Sequence, residues 1–223
     1  MIKKYKYAIV AVDLAIFTVQ ENDLKVLLVK MKKYPFEKMW AVPGGLIKPN
    51  EPLDKAALRE LYEKTGIKNV YLEQLYTFGN PKRDPSGRVI SVAYFALINT
   101  QEIKLKTTKK YSDIKWFSAK NLPVLAYDHR EIIDYALLRL RWKLEYTNVA
   151  YSLLPRYFTF SQLQKIYEII LGKKLDKRNF RKRMLFLKIV KSTQAKERGE
   201  AHRPARLFTF VHRKPEIITS VNR

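Results

Sequence analysis

Residues 45–67 read GLIKPNEPLDKAALRELYEKTGI, a polar loop that leads into a segment with helical periodicity. Apolar residues recur in this segment at every fourth position, namely at Leu53, Ala57 and Leu61. The spacing predicts a helix from Leu53 to Thr65 with one buried stripe. Asn50 is the predicted N-cap of this helix and Gly66 is its predicted C-cap.

The same helix carries charged residues at a spacing that matters for chemistry. Glu60, Glu63 and Lys64 are i, i+3 and i+4 neighbours, so their side chains project from one helix face. Carboxylates in such an arrangement hold hard cations such as Mg²⁺. The ammonium of Lys64, on the same face, would repel such a cation. At a few ångströms and an effective dielectric constant of about 20, each unit of charge is worth about 4 kcal/mol.

The positions around this face resemble the signature of the Nudix fold. The matching residues are Gly45, Glu51, Arg59, Glu60, Leu61, Glu63, Gly66 and Ile67. The resemblance covers about residues 7–145 and implies a Nudix-like α/β/α sandwich with a mixed sheet. Active members of that family have a metal-binding glutamate where this chain has Lys64.

The resemblance therefore implies a degenerate motif, in which Glu60 and Glu63 remain from a weak or lost metal site and no residue is assigned a catalytic role. No cofactor is required, and Mg²⁺ matters only if ADP-ribose pyrophosphatase activity persists. Lys64 either neutralises the two glutamates or contacts a ligand phosphate directly. Alternatively, a neighbouring glutamate restores metal binding.

Ligand-binding candidates lie on this helix and in the loop PKRDPSGR at residues 81–88. The candidates are Arg59, Glu60, Glu63, Lys64, Arg83 and Arg88, with Phe78, Tyr94 and Asp128 as further residues of interest. Arginine is well suited to phosphate because its planar guanidinium donates two parallel hydrogen bonds. As ordinary surface charges, the loop arginines would have no special role.

The rest of the first part of the chain alternates strand-like and helical segments. Strands are predicted at 7–19, 24–30, 40–42, 70–80, 89–98 and 114–117, from their aliphatic and aromatic residues. A second long helix is predicted at 129–145. The overall class is therefore α+β.

Composition narrows the choice of partners. The chain has 44 basic and 21 acidic residues, a net charge of +23, and no cysteine. Such an excess favours a polyanionic partner, although a basic proteome would also produce it.

Thiolate metal sites and disulfides are excluded. The N-terminal apolar run is interrupted by Asp13, and no stretch reaches membrane-spanning length, so a soluble cytoplasmic protein is expected.

The proportion of basic to acidic residues rises after about residue 147. From Asn148 onward the chain contains 18 basic and 5 acidic residues. Its apolar residues are periodic, and they predict helices at 148–154, 161–171 and 177–186, then strands at 187–192 and 205–211. Thr159 and Asp176 are predicted helix caps. We expect a ligand-sensing domain at 1–147 and a winged helix-turn-helix domain at 148–223.

The third helix of this region begins DKRNFRKR after a tight turn, which is the composition of a recognition helix. Phe180, Met184 and Leu185 are predicted to face inward. The predicted DNA-binding residues are Lys177, Arg178, Asn179, Arg181 and Lys182 of the helix and Arg198, Arg203 and Arg206 of the wing. A basic helical hairpin that packs on an acidic protein partner is the alternative.

Nearly the whole chain resembles the Nudix-related transcriptional regulators. Besides the Nudix motif, the stretches WFSAKNLPVLAYDHREIIDYALLRLRWKLEY and LLPRYFTFSQLQKIYEIILGKKLDKRNFRKRM carry the resemblance. It implies a homodimeric repressor that binds double-stranded operator DNA and senses ADP-ribose or a related nucleotide or sugar, without a membrane partner. The alternative function is that of a Mg²⁺-dependent ADP-ribose pyrophosphatase with a basic accessory domain.

Overall fold

A computed structural model describes residues 7–68, 70–99, 105–107, 110–196 and 205–218. Within it the chain forms two compact units. The first contains Met1–Thr18 and Lys25–Ala136, and the second contains Val19–Leu24 and Leu137–Arg223. Among the described residues, no helix combines the length and the apolar character that crossing a membrane would require.

The first unit is built on a seven-stranded mixed sheet. Its strands are β1 (Ile9–Gln20), β2 (Asp23–Met31), β3 (Trp40–Ala41), β4 (Gly44–Leu46), β5 (Tyr71–Phe78), β6 (Val89–Leu97) and β7 (Tyr111–Ser118). The order is β3-β2-β1-β6-β5, with β4 beside β1 and β7 beside β2. Strands β1 and β6 are parallel, whereas β4 on β1, β3 and β7 on β2, and β5 on β6 are antiparallel.

Helix α1 (Leu53–Thr65) has the predicted bounds and packs its apolar stripe into the core of the sheet. Ala57 and Leu61 are fully buried, and Gly66 ends the helix in the left-handed conformation. The predicted N-cap Asn50 is wrong, because the cap residue is Pro52. Proline disfavours the helical conformation in the residue before it, so the chain cannot enter the helix as early as Asn50 predicts.

Helix α2 (His129–Tyr146) matches the second predicted helix. Its first half buries Ile132, Ile133 and Ala136. The ring of Tyr135 contacts Tyr76 and Phe78 of β5, with centroid separations of 5.2 and 6.4 Å. These contacts attach the beginning of α2 to the sheet and set the position of the residues just before it.

The second unit has the helix-turn-helix and hairpin that the sequence predicts. Its elements are a 3₁₀ helix (Val149–Leu153), α3 (Phe160–Leu171), α4 (Lys177–Phe186), β8 (Val190–Lys196) and β9 (Arg206–Phe210). Thr159 and Gln162 form a capping box at α3. Asp176 caps α4 by accepting a hydrogen bond from Asn179 N at 2.8 Å. Both predicted caps are therefore confirmed.

Three predictions in this unit need correction. The segment predicted as a helix at 148–154 is a short 3₁₀ helix that begins at Val149. Strand β8 begins at Val190 rather than at residue 187, because Lys188 has a positive φ of 52° and makes a turn. Leu185 is 42% exposed, since only Phe180 and Met184, one helical turn apart, face the core.

Candidate ligand and DNA-binding sites

Gly44 and Gly45 of β4 bring the backbone against the side chains of Asp13 and Glu60, respectively. A Cβ on Gly44 would lie 2.6 Å from the carbonyl oxygen of Val12, and one on Gly45 would overlap the Glu60 carboxylate. Neither glycine has a positive φ. Their role is therefore close approach between β4, β1 and α1, rather than an unusual backbone conformation.

Arg59 joins the loop before α1 to the acidic face of the helix. Its guanidinium donates to Glu51 at 2.7 and 2.9 Å and to Glu60 Oε1 at 2.5 Å. A longer ion pair of 3.7 Å reaches Glu63. The hydrogen bonds from Arg59 lower the pKa of Glu51 to about 2. Arg59 thus holds the Glu51 carboxylate in its ionised form.

Lys64 is buried, with a side chain only 2% exposed. Its Nζ donates to Glu60 Oε2 at 2.5 Å and to Glu63 Oε2 at 3.3 Å, and it lies 5.5 Å from the centre of the Tyr111 ring. Of the two roles that the sequence leaves open for Lys64, neutralisation of the glutamates is the one that this geometry displays.

The residues at the Nudix motif do not fit a divalent cation. Both oxygens of Glu60 accept hydrogen bonds from positively charged donors, and the Lys64 ammonium lies against the carboxylate that a cation would use. Across the described parts of the chain, no three His, Asp or Glu side chains cluster in a way that could hold a metal ion. Glu60 and Glu63, the predicted remnants of a metal site, instead belong to an ion-pair cluster.

A buried carboxylate that the sequence analysis missed lies at Asp13, inside β1. Its Oδ2 accepts hydrogen bonds from Ser91 Oγ at 2.6 Å and from Arg83 Nη2 at 3.1 Å. Burial alone would raise the pKa of this carboxyl, but its neighbours, with His129 foremost, hold the pKa well below its usual range. The signal in the sequence was an acidic residue in the middle of an apolar strand, which needs buried partners.

His129 completes this cluster at the first residue of α2. Its Nδ1 accepts a hydrogen bond from the backbone N–H of Val42 at 3.1 Å, and its Nε2 lies 3.6 Å from Asp13 Oδ1. Because Nδ1 is an acceptor, the ring proton is on Nε2 and points toward the carboxylate. His129 therefore ties β1, the residue after β3 and α2 together.

These groups line a cavity of about 210 Å³ in the first unit. Its wall includes Asp13, Gly44, Gly45, Arg83, Lys110, Tyr111, Tyr127 and His129. The Tyr111 hydroxyl and the Lys110 ammonium both donate to the Gly44 carbonyl, at 2.9 and 3.0 Å. Neither Lys110 nor Tyr111 was among the residues selected from sequence, since nothing local distinguishes them from other surface lysines and strand tyrosines.

The loop arginines have different environments. Arg83 is buried and donates to both oxygens of Asp128, at 2.7 and 2.8 Å, as well as to Asp13. Arg88 is exposed, and its guanidinium donates to the Gly79 carbonyl at 2.6 Å. Arg83 therefore already has carboxylate partners with which any ligand phosphate would compete, and its assignment to the ligand stays a prediction, as does that of Arg88.

The aromatic candidates have structural partners. Tyr94 is buried and donates from its hydroxyl to Asp54 of α1 at 2.6 Å. Phe78 packs edge-on against Tyr76 at 5.4 Å. Both residues thus support the sheet and its contacts with the helices.

Helix α4 displays a basic surface. All five of the residues selected on it are exposed, namely Lys177, Arg178, Asn179, Arg181 and Lys182. Arg178 and Lys182 each lie two positions before a buried residue, so at 100° per residue they are nearly opposite the core. The Arg181 guanidinium instead lies 4.6 Å from the Phe160 ring centre.

Side chains of α3 hold the turn before α4 through hydrogen bonds to its backbone. Gln164 Nε2 donates to the Leu175 carbonyl at 2.8 Å, and Glu168 Oε1 accepts from Leu175 N at 3.0 Å. These bonds hold the N-terminus of α4 against α3. Of the predicted wing residues, Arg206 is exposed at the start of β9, whereas Arg198 and Arg203 lie outside the described residues.

Known families match both units. A model of the NUDIX domain matches residues 10–137, and a model of the NrtR DNA-binding winged helix domain matches residues 150–210. The chain is 40% identical over 211 residues to the ADPR responsive transcriptional repressor NtrR of Acinetobacter baylyi. That alignment covers 92% of this chain and 83% of the relative.

Solved structures agree with these matches. Shewanella oneidensis NrtR, crystallised with a 27mer DNA, superposes with a TM-score of 0.78 at 36% identity, covering 90% of this chain and 93% of that one. The NUDIX domain of the same protein, crystallised with ADP ribose, superposes with a TM-score of 0.56 at 38% identity, covering 62% and 92%. The chain therefore belongs to the NrtR family, whose members join a NUDIX domain to a DNA-binding winged helix domain.

Proposed function

We propose that this protein is a transcriptional repressor that binds operator DNA through its winged helix and responds to ADP-ribose or a related nucleotide or sugar through its NUDIX domain. The observation that carries this proposal is the buried Lys64 ammonium at 2.5 Å from Glu60, which converts a metal-binding face into a neutralised one. The repressor from Acinetobacter baylyi and the DNA-bound Shewanella oneidensis protein support it by similarity.

The proposed division of labour assigns residues 1–147 to ligand sensing and residues 148–223 to DNA binding. In the first domain, the proposed ligand-contacting surface is the cavity beside β4. In the second, the exposed basic residues of α4 would enter the major groove, and Arg198, Arg203 and Arg206 would contact the DNA backbone or minor groove. The protein would act in the cytoplasm as a homodimer on two half-sites.

Two measurements on the full chain test the proposal. An operator is first selected from a random pool of double-stranded DNA, and its binding is then measured by fluorescence anisotropy with and without ADP-ribose. The same preparation is assayed for ADP-ribose hydrolysis in Mg²⁺. We expect sequence-specific binding that ADP-ribose weakens, and no appreciable hydrolysis.

The alternative function is ADP-ribose pyrophosphatase activity, which the Nudix motif favours apart from Lys64. Robust Mg²⁺-dependent turnover together with an absence of sequence-specific DNA binding would establish that alternative and reject the repressor. If the protein binds DNA but no nucleotide or sugar changes that binding, the DNA-binding role of the winged helix would be kept and the sensing role would be rejected.

Removal of Arg178 is expected to weaken operator binding by about 1–3 kcal/mol, the range for a side chain that reads a base. Arg178→Ala should leave the thermal unfolding midpoint unchanged, because the side chain is exposed and lies away from the core of the unit. Binding is measured by anisotropy at fixed salt concentration, with Lys55→Ala, an exposed position on α1, as the matched control. Equal affinities for the two variants would mean that α4 does not present this face to DNA.

A further inference from the structure

Each oxygen of Glu60 already accepts a hydrogen bond from a positively charged side chain. Its Oε1 accepts from Arg59 Nη1 and its Oε2 accepts from Lys64 Nζ, both at 2.5 Å. The carboxylate is buried and lies against Gly45, so it cannot turn away from these donors without disturbing β4. Mg²⁺ requires oxygen ligands in a nearly ideal octahedron. A carboxylate that two cationic side chains hold in place does not offer a ligand for that geometry.

Glu63 does not replace it. Its side chain is 43% exposed, and its oxygens are 3.3 Å from Lys64 Nζ and 3.7 Å from Arg59 Nη1. One exposed carboxylate beside two cations is a poor site for a doubly charged ion, because both cations repel it. A ligand with phosphate groups at this surface must therefore obtain its counter-charge from side chains of the protein.

Lys110 is placed to supply that charge. Its ammonium donates to the Gly44 carbonyl at 3.0 Å, lies 5.3 Å from the Tyr111 ring centre and forms part of the cavity wall. An ammonium has three donors, and that carbonyl uses one of them. Within the described residues, Lys110 forms no ion pair with a carboxylate, unlike Arg59, Lys64 and Arg83.

We propose that this cavity binds a pyrophosphate-containing anion without any divalent cation, and that the Lys110 ammonium contacts a phosphate oxygen of that ligand. Lys64 is a positioning residue in this arrangement: it is buried, and it neutralises Glu60 so that the carboxylate does not repel the anion. The inference rests on the proposed sensing function and adds to it the cation independence and the contacting residue.

The test is isothermal titration calorimetry of the full chain with ADP-ribose, in EDTA and in Mg²⁺, repeated with inorganic pyrophosphate. We expect the dissociation constant of the unchanged protein to be the same in both buffers within about twofold, since no cation takes part. Lys110→Ala should weaken binding about tenfold or more, the loss expected for a hydrogen bond to a charged group. Lys110→Arg should keep most of the affinity.

Lys120→Ala, an exposed lysine of the same unit, is the matched control and should bind like the unchanged protein. Thermal unfolding of each variant verifies that it is folded. Tighter binding in Mg²⁺ by tenfold, or an unchanged affinity of Lys110→Ala, would overturn the inference, as would failure of both probes to bind. Binding of pyrophosphate in EDTA that needs Lys110, without binding of ADP-ribose, would support the inference while rejecting ADP-ribose as the effector.

Discussion

Lys64→Glu is expected to make the stability of the NUDIX unit depend on Mg²⁺. Without metal, the variant places a new carboxylate beside Glu60 and Glu63 and removes the ammonium that both now contact. Loss of one partner from a buried ion pair costs about 3–5 kcal/mol, so the unfolding free energy should fall by that amount in EDTA. Mg²⁺ should restore much of it, because three carboxylates on one helix face form a cation site.

The measurement is chemical unfolding of the variant and of the unchanged protein, each in EDTA and in Mg²⁺. Lys55→Glu makes the same charge change on an exposed position of α1 and should show neither effect. If the free energy of unfolding of Lys64→Glu is the same in EDTA and in Mg²⁺, our interpretation of this face of α1 as a former metal site is contradicted.

The same variant should also gain Mg²⁺-dependent hydrolysis of ADP-ribose if Lys64 is the one element that blocks catalysis. Product release is followed in Mg²⁺ with the unchanged protein as reference. Stabilisation by Mg²⁺ without any gain in hydrolysis would show that this chain lacks a further catalytic element besides the metal ligand at this position.

Asp13→Asn is expected to destabilise the first unit by about 1.5–3 kcal/mol at neutral pH, the range for hydrogen bonds to charged groups. The amide keeps the size of the side chain but leaves the buried guanidinium of Arg83 with Asp128 as its remaining acidic partner. Urea unfolding measures the effect, and Asp134→Asn, an exposed position on α2, should change stability by less than about 0.5 kcal/mol.

The Asp13 contribution should disappear in acid. The folded protein holds the pKa of Asp13 below its ordinary value of 3.8, so the stabilisation is complete above that value and is lost as the pH falls below it. The difference in stability between the unchanged protein and Asp13→Asn should therefore shrink on acidification. A difference that stays constant down to low pH would mean that the carboxylate charge is not what stabilises the cluster.

Elements set by local sequence were predictable. The bounds of α1 follow from its apolar spacing and from Gly66, which ends the helix. The caps at Thr159 and Asp176 follow from side chains that bond to the backbone within a few positions. Failures occurred where a neighbour overrides a local preference. Pro52 delays the start of α1 beyond Asn50, and the turn at Lys188 delays β8.

The candidate site was predictable only in its helical part. Arg59, Glu60, Glu63 and Lys64 are within one and a half turns of each other, so their proximity is a property of the helix. Asp13 is 70 positions from Arg83 and 78 from Ser91. Ser91 reaches Asp13 because β1 and β6 pair in parallel, and Arg83 reaches it from the loop before β6. Parallel strands are joined by long crossover connections, so the partners of Asp13 lie far from it in sequence and its local sequence does not identify them.

The sequence by itself determined that a Nudix-type helix carries a lysine at a metal-ligand position and that a basic helix-turn-helix region follows it. Tertiary structure alone decided what each cation does. Lys64 is buried on Glu60 and Arg83 on two aspartates, whereas Lys110 reaches the cavity without a carboxylate partner among the described residues. The reason is that a charge is neutralised or left available by the groups that folding brings around it, and these come from distant strands and loops.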